Sequence, residues 1–126
     1  MIIREIQDSF VMVTQHDHAL LSGEIAKHFT DPYFVDGAYR ADVELAIREH
    51  DRGWIRLDDA PIWNDRDAKP FSFMDYPLLP KLTHYRLGID EVQAQSEYAA
   101  LLCSMHYCSF MAGHTPEQTE IVRFMA

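Results

Sequence analysis

Two short apolar runs open the chain, and helical spacing takes over after them. Ile2, Ile3 and Ile6 form the first run and residues 10–14 the second, with the polar residues 7–9 between them. Runs rich in β-branched residues on either side of a polar turn predict a β-hairpin.

The next segment has the periodicity of an amphipathic helix. Its stripe recurs at intervals of three and four residues and consists of His18, Leu21, Ser22, Ile25 and Phe29. This spacing predicts a first helix over residues 17–30 with the stripe toward the core. The pair Asp31-Pro32 ends the helix, because proline restricts the residue before it to extended conformations.

A second helix is predicted over residues 40–52, and Gly53 ends it. Its acidic residues Asp42 and Glu44 stand in the first turn, where the helix dipole favours negative charge. One face carries Val43, Ala46, Ile47 and His50. We expect this face to point inward.

Residues 54–80 contain prolines and aromatic rings without periodicity. A long loop of this kind in a compact domain is usually either functional or packed on the surface. We therefore expect a lid over a site, with Trp54, Trp63 and Phe73 as its walls.

Three further helices complete the predicted fold. Residues 98–112 are more apolar than the other helical segments, and Thr115-Pro116 is a typical helix start. The stripe of the helix before them consists of Leu82, Tyr85, Ile89 and Val92. Since no linker interrupts the chain, the sequence predicts one mainly α domain over residues 1–126, a helical bundle with an N-terminal β-hairpin.

Composition limits the classes of function. A net charge of −9 with scattered Lys and Arg disfavours a nucleic-acid partner. No apolar stretch approaches the roughly 20 residues of a membrane span, and the first residues do not resemble a signal peptide. Cys103 and Cys108 would point about 140° apart on a helix, which favours buried thiols over a disulfide. We expect a cytoplasmic protein that acts on a small molecule, and a homo-oligomer is left open.

Histidines on three predicted helices indicate a shared centre. His18, His50 and His106 each lie on an apolar face, and Asp51 follows His50 directly. For any one of them, a core histidine satisfied by a hydrogen bond is the commoner explanation. Burying several imidazoles is costly unless each has a partner, so a divalent metal bound by imidazole and carboxylate explains the set better.

Two other histidines are weaker candidates. His84 lies off the stripe of its helix, where it could either line a cavity edge or be solvated. His16 precedes the first predicted helix and could contact the site from its rim.

The same residues carry a family resemblance. His18 on an apolar helix, followed on the next helix by His50-Asp51-x-Gly53, resembles the HD superfamily of helical metal-binding domains. The whole chain more closely resembles DUF3891, a family of uncharacterised bacterial proteins. The blocks that carry this second resemblance are Met1-Ile2-Ile3-Arg4-Glu5, Gln15-x-Asp17-His18-Ala19-x-Leu21-Ser22-Gly23, His50-Asp51-x-Gly53-Trp54, Pro70-Phe71-x-Phe73-Met74-Asp75-x-Pro77 and Tyr98-Ala99-Ala100-Leu101-Leu102-x-Ser104-x-His106.

The resemblance to HD domains implies that His18, His50 and Asp51 are metal ligands. HD domains generally close the site with a later aspartate, whereas this sequence has none after Asp90. Either His106 takes that place or the ligand lies in a carboxy-terminal part that this chain lacks, since the last predicted helix runs to the end of the chain, as in a truncated domain. In dinuclear members further histidines hold a second metal, for which His84 and His106 are the candidates. The metal would be Mn, Fe, Mg or Zn.

The resemblance also implies a reaction, the hydrolysis of a small-molecule phosphoester by metal-activated water. Asp51 and Asp17 would then act in catalysis. The expected substrate contacts are Arg52, Trp54 and His16, with Arg52 or Lys69 neutralising phosphate. The alternatives are an HD-type di-iron oxygenase and a non-catalytic metal- or ligand-binding module.

Overall fold

The N-terminal segment forms the predicted β-hairpin in the computed structural model, which describes residues 1–30, 37–111 and 119–126. Strand β1 (Ile2–Ile6) pairs antiparallel with β2 (Ser9–Val13), and the register runs from the pair Ile2/Val13 to the pair Ile6/Ser9. The tight turn places Gln7 at a φ of 53°. The hairpin prediction is confirmed.

Helix α1 (Gln15–Ala26) begins two residues before the predicted start. The hydroxyl of Thr14 accepts a hydrogen bond from the backbone N–H of Asp17, so Thr14 is the N-cap. The helix ends before the predicted residue 30, and the predicted stop at Asp31-Pro32 lies outside the described residues.

The predicted buried face of α1 is wrong. Leu21 is 61% exposed and Ile25 is 50% exposed. Phe29, which lies beyond the helix end, is exposed as well. The buried positions are instead Gln15, Ala19, Gly23 and Ala26. The small residues Ala19, Gly23 and Ala26 allow α1 to pack closely on α2 (Arg40–Glu49), since a Cβ on Gly23 would lie 3.1 Å from the Cβ of Arg48.

Helix α2 ends at Glu49, and a short 3₁₀ turn follows over Arg52–Trp54. His50 and Asp51 lie between these two elements. The turn packs against α4 (Leu78–Gln93) at a glycine pair: a Cβ on Gly88 would lie 2.5 Å from the backbone nitrogen of Gly53. Only glycine allows this approach.

Residues 54–80 contain regular structure that the sequence pattern did not indicate. Helix α3 (Ile55–Asp58) continues the 3₁₀ turn, and β3 (Trp63–Asn64) pairs antiparallel with β4 (Lys69–Pro70). The segment contributes to an aromatic core in which Trp54 is 1% exposed and packs edge-on against Tyr76 and Tyr85.

Two long helices complete the part of the fold that positions the candidate site. Helix α4 buries Leu82, Tyr85 and Val92 as predicted. Ser96 caps α5 (Glu97–Ser109) through a hydrogen bond from the N–H of Ala99, and α6 (Thr119–Met125) follows. The predicted start of the last helix at Thr115-Pro116 lies outside the described residues.

The structure is mainly helical with a short N-terminal hairpin, as the sequence predicts. Both cysteines are free thiols. In the described part of the chain, no helix combines the length and the apolar character that spanning a bilayer requires.

Candidate metal centre

The structure brings His18, His50 and Asp51 together. Each offers one donor atom, and these three atoms all lie within 4.8 Å of one another. Donor atoms bound to one ion at about 2.1 Å lie roughly 3–4 Å apart, so small side-chain rotations would bring all three to a single cation. His18 comes from α1, while the doublet follows α2.

His18 reaches this cluster from the surface. The sequence predicted that it would point into the core, but it is exposed. Its ring nevertheless stands edge-on to the ring of His50, with centroids 5.4 Å apart and planes at 86°. The cluster therefore has one side open to solvent and another side buried, where Asp51 is 3% exposed.

The hydrogen bonds of His50 define the orientation of its ring. Nδ1 lies 2.6 Å from the backbone carbonyl oxygen of Ile47, which can only accept, so Nδ1 carries a proton. Nε2 lies 3.2 Å from Oδ2 of Asp51. In a neutral ring, Nε2 would therefore turn its lone pair toward a carboxylate oxygen, an arrangement that needs either a second proton or a cation.

Burial and charge act in opposite directions on His50. Burial lowers its pKa, but the hydrogen bond and the negative charge of Asp51, together with the Ile47 carbonyl, outweigh burial and raise the pKa above its usual value. The Asp51 carboxylate therefore favours a positive charge at this position.

Gln15 supports the buried carboxylate. Its Nε2 donates to Oδ2 of Asp51 at 3.3 Å, and its backbone N–H donates to Asp58 at 2.7 Å. Asp58 also accepts from the N-terminal ammonium of Met1 at 2.6 Å. The other side-chain atom of the Gln15 amide, Oε1, is buried and has no hydrogen-bond partner among the described residues. An unsatisfied buried acceptor beside the cluster is compatible with a further polar ligand or water.

His106 borders the cluster from α5. Its ring centroid lies 4.8 Å from that of His50 at an angle of 81°. Burial lowers the pKa of His106, and the neighbouring His50 and His18 lower it further against the opposing effect of Asp51. His106 is therefore neutral near pH 7, although it is not among the three residues whose donors converge within 4.8 Å.

His84 and Arg52 line another groove, together with Glu91 on α4. Arg52 is paired there with Glu91 at 2.8 Å and with Glu49 at 3.1 Å. These carboxylates already neutralise the guanidinium that was expected to bind substrate phosphate. His84 and Arg52 therefore line a groove that does not include the cluster of His18, His50 and Asp51.

The remaining predicted site residues differ in their surroundings. Asp17 is exposed in the first turn of α1, and Lys69 is exposed on β4. His16 is half-buried, and its Nδ1 has no hydrogen-bond partner among the described residues. Trp54 is buried in the aromatic core and offers little surface to a substrate.

The prediction of an aromatic lid is wrong. Trp54 belongs to the aromatic core and Phe73 packs against it, while Trp63 is 50% exposed and stands edge-on to Phe10. Trp54 and Phe73 turn toward the core, and Trp63 turns toward the N-terminal hairpin of β1 and β2. They do so because the segment folds into α3 and the β3–β4 pair instead of an irregular loop.

A different surface forms the cavity beside the cluster. It has a volume of about 300 Å³, and its lining consists of Val43, Ala46, Ile47, His50, Leu102, Cys103 and His106. Burial raises the pKa of Cys103 to about 11, with smaller contributions from Glu49 and Asp51. The thiol is therefore protonated near neutral pH and is an apolar wall, not a nucleophile.

Sequence reasoning gave no role to two groups that hold the cluster, the side chain of Gln15 and the carbonyl of Ile47. Gln15 had a usable signal, because residues three apart on a helix are neighbours, and His18 is three residues further on. The backbone carbonyl gave no signal, since any residue at position 47 would provide it.

These features define a mainly helical domain with a cluster of histidine and aspartate side chains beside an apolar cavity. The chain belongs to the family described as protein of unknown function (DUF3891), whose model matches residues 1–126. Neither the curated proteins nor the solved structures contain a match to the chain.

Proposed function

We propose that the protein is a metal-dependent hydrolase of HD type that acts on a small-molecule phosphoester. The observation that carries the proposal is the convergence of the His18, His50 and Asp51 donors within 4.8 Å. Two imidazoles and a carboxylate form a ligand set suited to Zn²⁺, Mn²⁺ or Fe²⁺ and leave coordination positions for water and substrate.

The hydrogen-bond pattern supports a cation at this position. Metal-binding histidines usually donate their second ring N–H to a carbonyl or carboxylate, as Nδ1 of His50 does to Ile47. The Nε2 lone pair and the Asp51 carboxylate then face the same point from two sides. A divalent ion there would remove the repulsion between them.

The bound ion would supply Lewis acidity and lower the pKa of water in the site. In the overall reaction, the oxygen of water bonds to phosphorus and the bond from phosphorus to the alcohol oxygen breaks. One proton of the water ends on the alcohol. His18, His50 and Asp51 would hold the ion, with Asp51 oriented by Gln15, and His106 would accept or donate a proton at the edge of the site.

Metal analysis is the first test. Protein loaded with Mn²⁺ or Zn²⁺ and desalted should retain about one ion per chain, whereas His18→Ala and His50→Ala should each lower the affinity at least a hundredfold. His28→Ala is the matched control, because His28 is exposed and lies outside the cluster. Retention of metal by the double variant His18→Ala/His50→Ala would overturn the site.

Activity is tested next, on the metal-loaded protein with a panel of phosphomonoesters and phosphodiesters. Turnover that disappears with chelator and with His50→Ala supports the hydrolase. Stoichiometric metal without turnover on the panel would instead favour the non-catalytic module. The di-iron oxygenase requires both His84 and His106 as additional ligands, and it is less favoured because His84 lines the groove with Glu91.

A further inference from the structure

We infer that the candidate metal centre takes substrates whose organic part is apolar and about the size of a six-carbon chain or a small ring. This inference rests on the proposed function and names the substrate class of the same site. It follows from the composition, the size and the charge of the cavity beside His50.

The walls of the cavity are apolar. Five of its lining residues are Val43, Ala46, Ile47, Leu102 and Cys103, and the other two are the histidines at the edge of the cluster. Apart from these two histidines, the described side chains of the lining offer no group that would orient a sugar or a base, and the Cys103 thiol already points to the carbonyl of Ala46 at 3.7 Å. A group placed here gains free energy by leaving water, not by hydrogen bonding.

The volume sets the size of that group. An apolar cavity of about 150 Å³ accommodates benzene. The cavity of about 300 Å³ has room for a ring of that size or for a chain of about six carbons, because part of its volume lies open to solvent. It is also at the lower end of the range for small-molecule pockets, about 300–1,000 Å³, which argues against a large substrate.

The charges near the cavity disfavour a polyanionic substrate. Its lining contains neither Lys nor Arg. The arginines of α2 already contact carboxylates, since Arg48 lies 3.9 Å from Glu24 and Arg40 lies 2.9 Å from Glu44. Among the described residues that line the cavity, a diphosphate or triphosphate chain would meet no Lys or Arg, while one phosphoryl group could be neutralised by the metal alone.

Binding of alkylphosphonates tests the inference without turnover. A phosphonate presents the same tetrahedral anion to the metal as a phosphomonoester, and its alkyl chain probes the cavity. The measurement is the Kd of methyl-, butyl-, hexyl- and octylphosphonate for the Mn²⁺-loaded protein by calorimetry. Because the walls are only partly buried, each methylene should tighten binding about twofold to fourfold up to hexyl. From methyl to hexyl the gain should be at least about thirtyfold.

Filling the cavity should remove the dependence of the Kd on the length of the alkyl chain. Val43 is half-buried on the α2 wall, so Val43→Phe should bring the Kd of hexylphosphonate to within about threefold of the Kd of methylphosphonate. Ile25→Phe is the matched control, because Ile25 is exposed on α1 and lies outside the cavity, and the chain-length series should be unchanged. If Val43→Phe does not fold, Leu102→Ala replaces it and should extend the tightening to octylphosphonate.

The two proposals fail differently. If every phosphonate binds the metal-loaded protein with the same affinity, the apolar cavity is not the substrate pocket and this inference is overturned, while the metal site remains. If the protein does not bind metal, the proposed function is overturned and this inference with it. A diphosphate that binds more tightly than hexylphosphonate would also overturn the inference.

Discussion

Replacing Gly88 with alanine should destabilise the protein, although alanine is the better helix former. In an ordinary helix the exchange gains about 1 kcal/mol. Here the new Cβ would lie 2.5 Å from the nitrogen and 2.7 Å from the Cα of Gly53, both backbone atoms. Ordinary contact begins near 3.4 Å, so α4 and the 3₁₀ turn would have to separate by almost 1 Å.

Overpacking of this kind costs about 1–3 kcal/mol or more, and a rigid backbone neighbour places it at the upper end. After subtracting the gain in helix propensity, we expect a net loss of about 2 kcal/mol, or roughly 8 °C in Tm for a domain of this size. Urea unfolding of the metal-free protein measures this loss of unfolding free energy. Since Gly53 stands two residues after Asp51, the affinity for metal should fall as well, by about tenfold.

Gly23→Ala is the control for this prediction. Its Cβ would lie 3.1 Å from the Cβ and 3.3 Å from the Cα of Arg48, so α1 and α2 would have to move apart by only a few tenths of an ångström. We expect its free energy of unfolding to stay within about 1 kcal/mol of the wild-type value. A Gly88→Ala variant that is as stable as the wild type, or more stable, would refute the close packing of α4 on the turn.

Three further predictions concern the surroundings of the cluster. Gln15→Ala should weaken metal binding about tenfold to a hundredfold while far-ultraviolet circular dichroism stays unchanged, because the amide orients Asp51; an unaltered Kd would argue against this role. Asp58→Asn should lower the free energy of unfolding by about 3–5 kcal/mol, since it removes the negative charge that pairs with the ammonium of Met1 and one of the two oxygens that accept from Met1 and Gln15; a loss below about 1 kcal/mol in urea unfolding would contradict this prediction. Because Asp51 raises the pKa of His50 against burial, a metal must displace a proton there. Metal affinity should therefore fall by up to tenfold per pH unit below that pKa and level off above it, with proton release visible in calorimetry in two buffers. In the metal-free protein the effect on stability has the opposite sign, since the protonated His50 stabilises the fold below its unfolded pKa and this contribution disappears as the pH rises through the raised folded pKa.

The hairpin of residues 2–13 was predicted from its β-branched runs and polar turn, although Val11 and Val13 are exposed. On α4 the sequence predicted the buried face correctly, because its large apolar residues Leu82, Tyr85 and Val92 are the buried ones. On α1 the same rule gave the wrong face, because the helix packs through Ala19 and Gly23. The buried face of α1 is determined by the close approach of its backbone to that of α2. Hydrophobic periodicity does not indicate such a face, because small residues contribute little to the pattern.

The convergence of His18 with the doublet could be expected from the sequence, whereas the surroundings of the doublet could not. The pairing of Arg52 with Glu91 joins residues far apart in the chain, and no local pattern encodes it. The same holds for the walls of the cavity, which come from α2 and α5 together. Metal binding itself stays a prediction.

The packing of α1 on α2 through Ala19 and Gly23 would determine the ion selectivity of the proposed metal site. His18 belongs to α1 and His50 follows α2, so the spacing of the two helices sets the separation of their donors. Divalent ions differ in bond length by only a few tenths of an ångström, which is about the displacement that one added methyl group would cause. Preference among ions of different radius would then be determined by residues that touch no ion, and enlarging Ala19 or Gly23 would change the preferred ion while leaving every ligand in place.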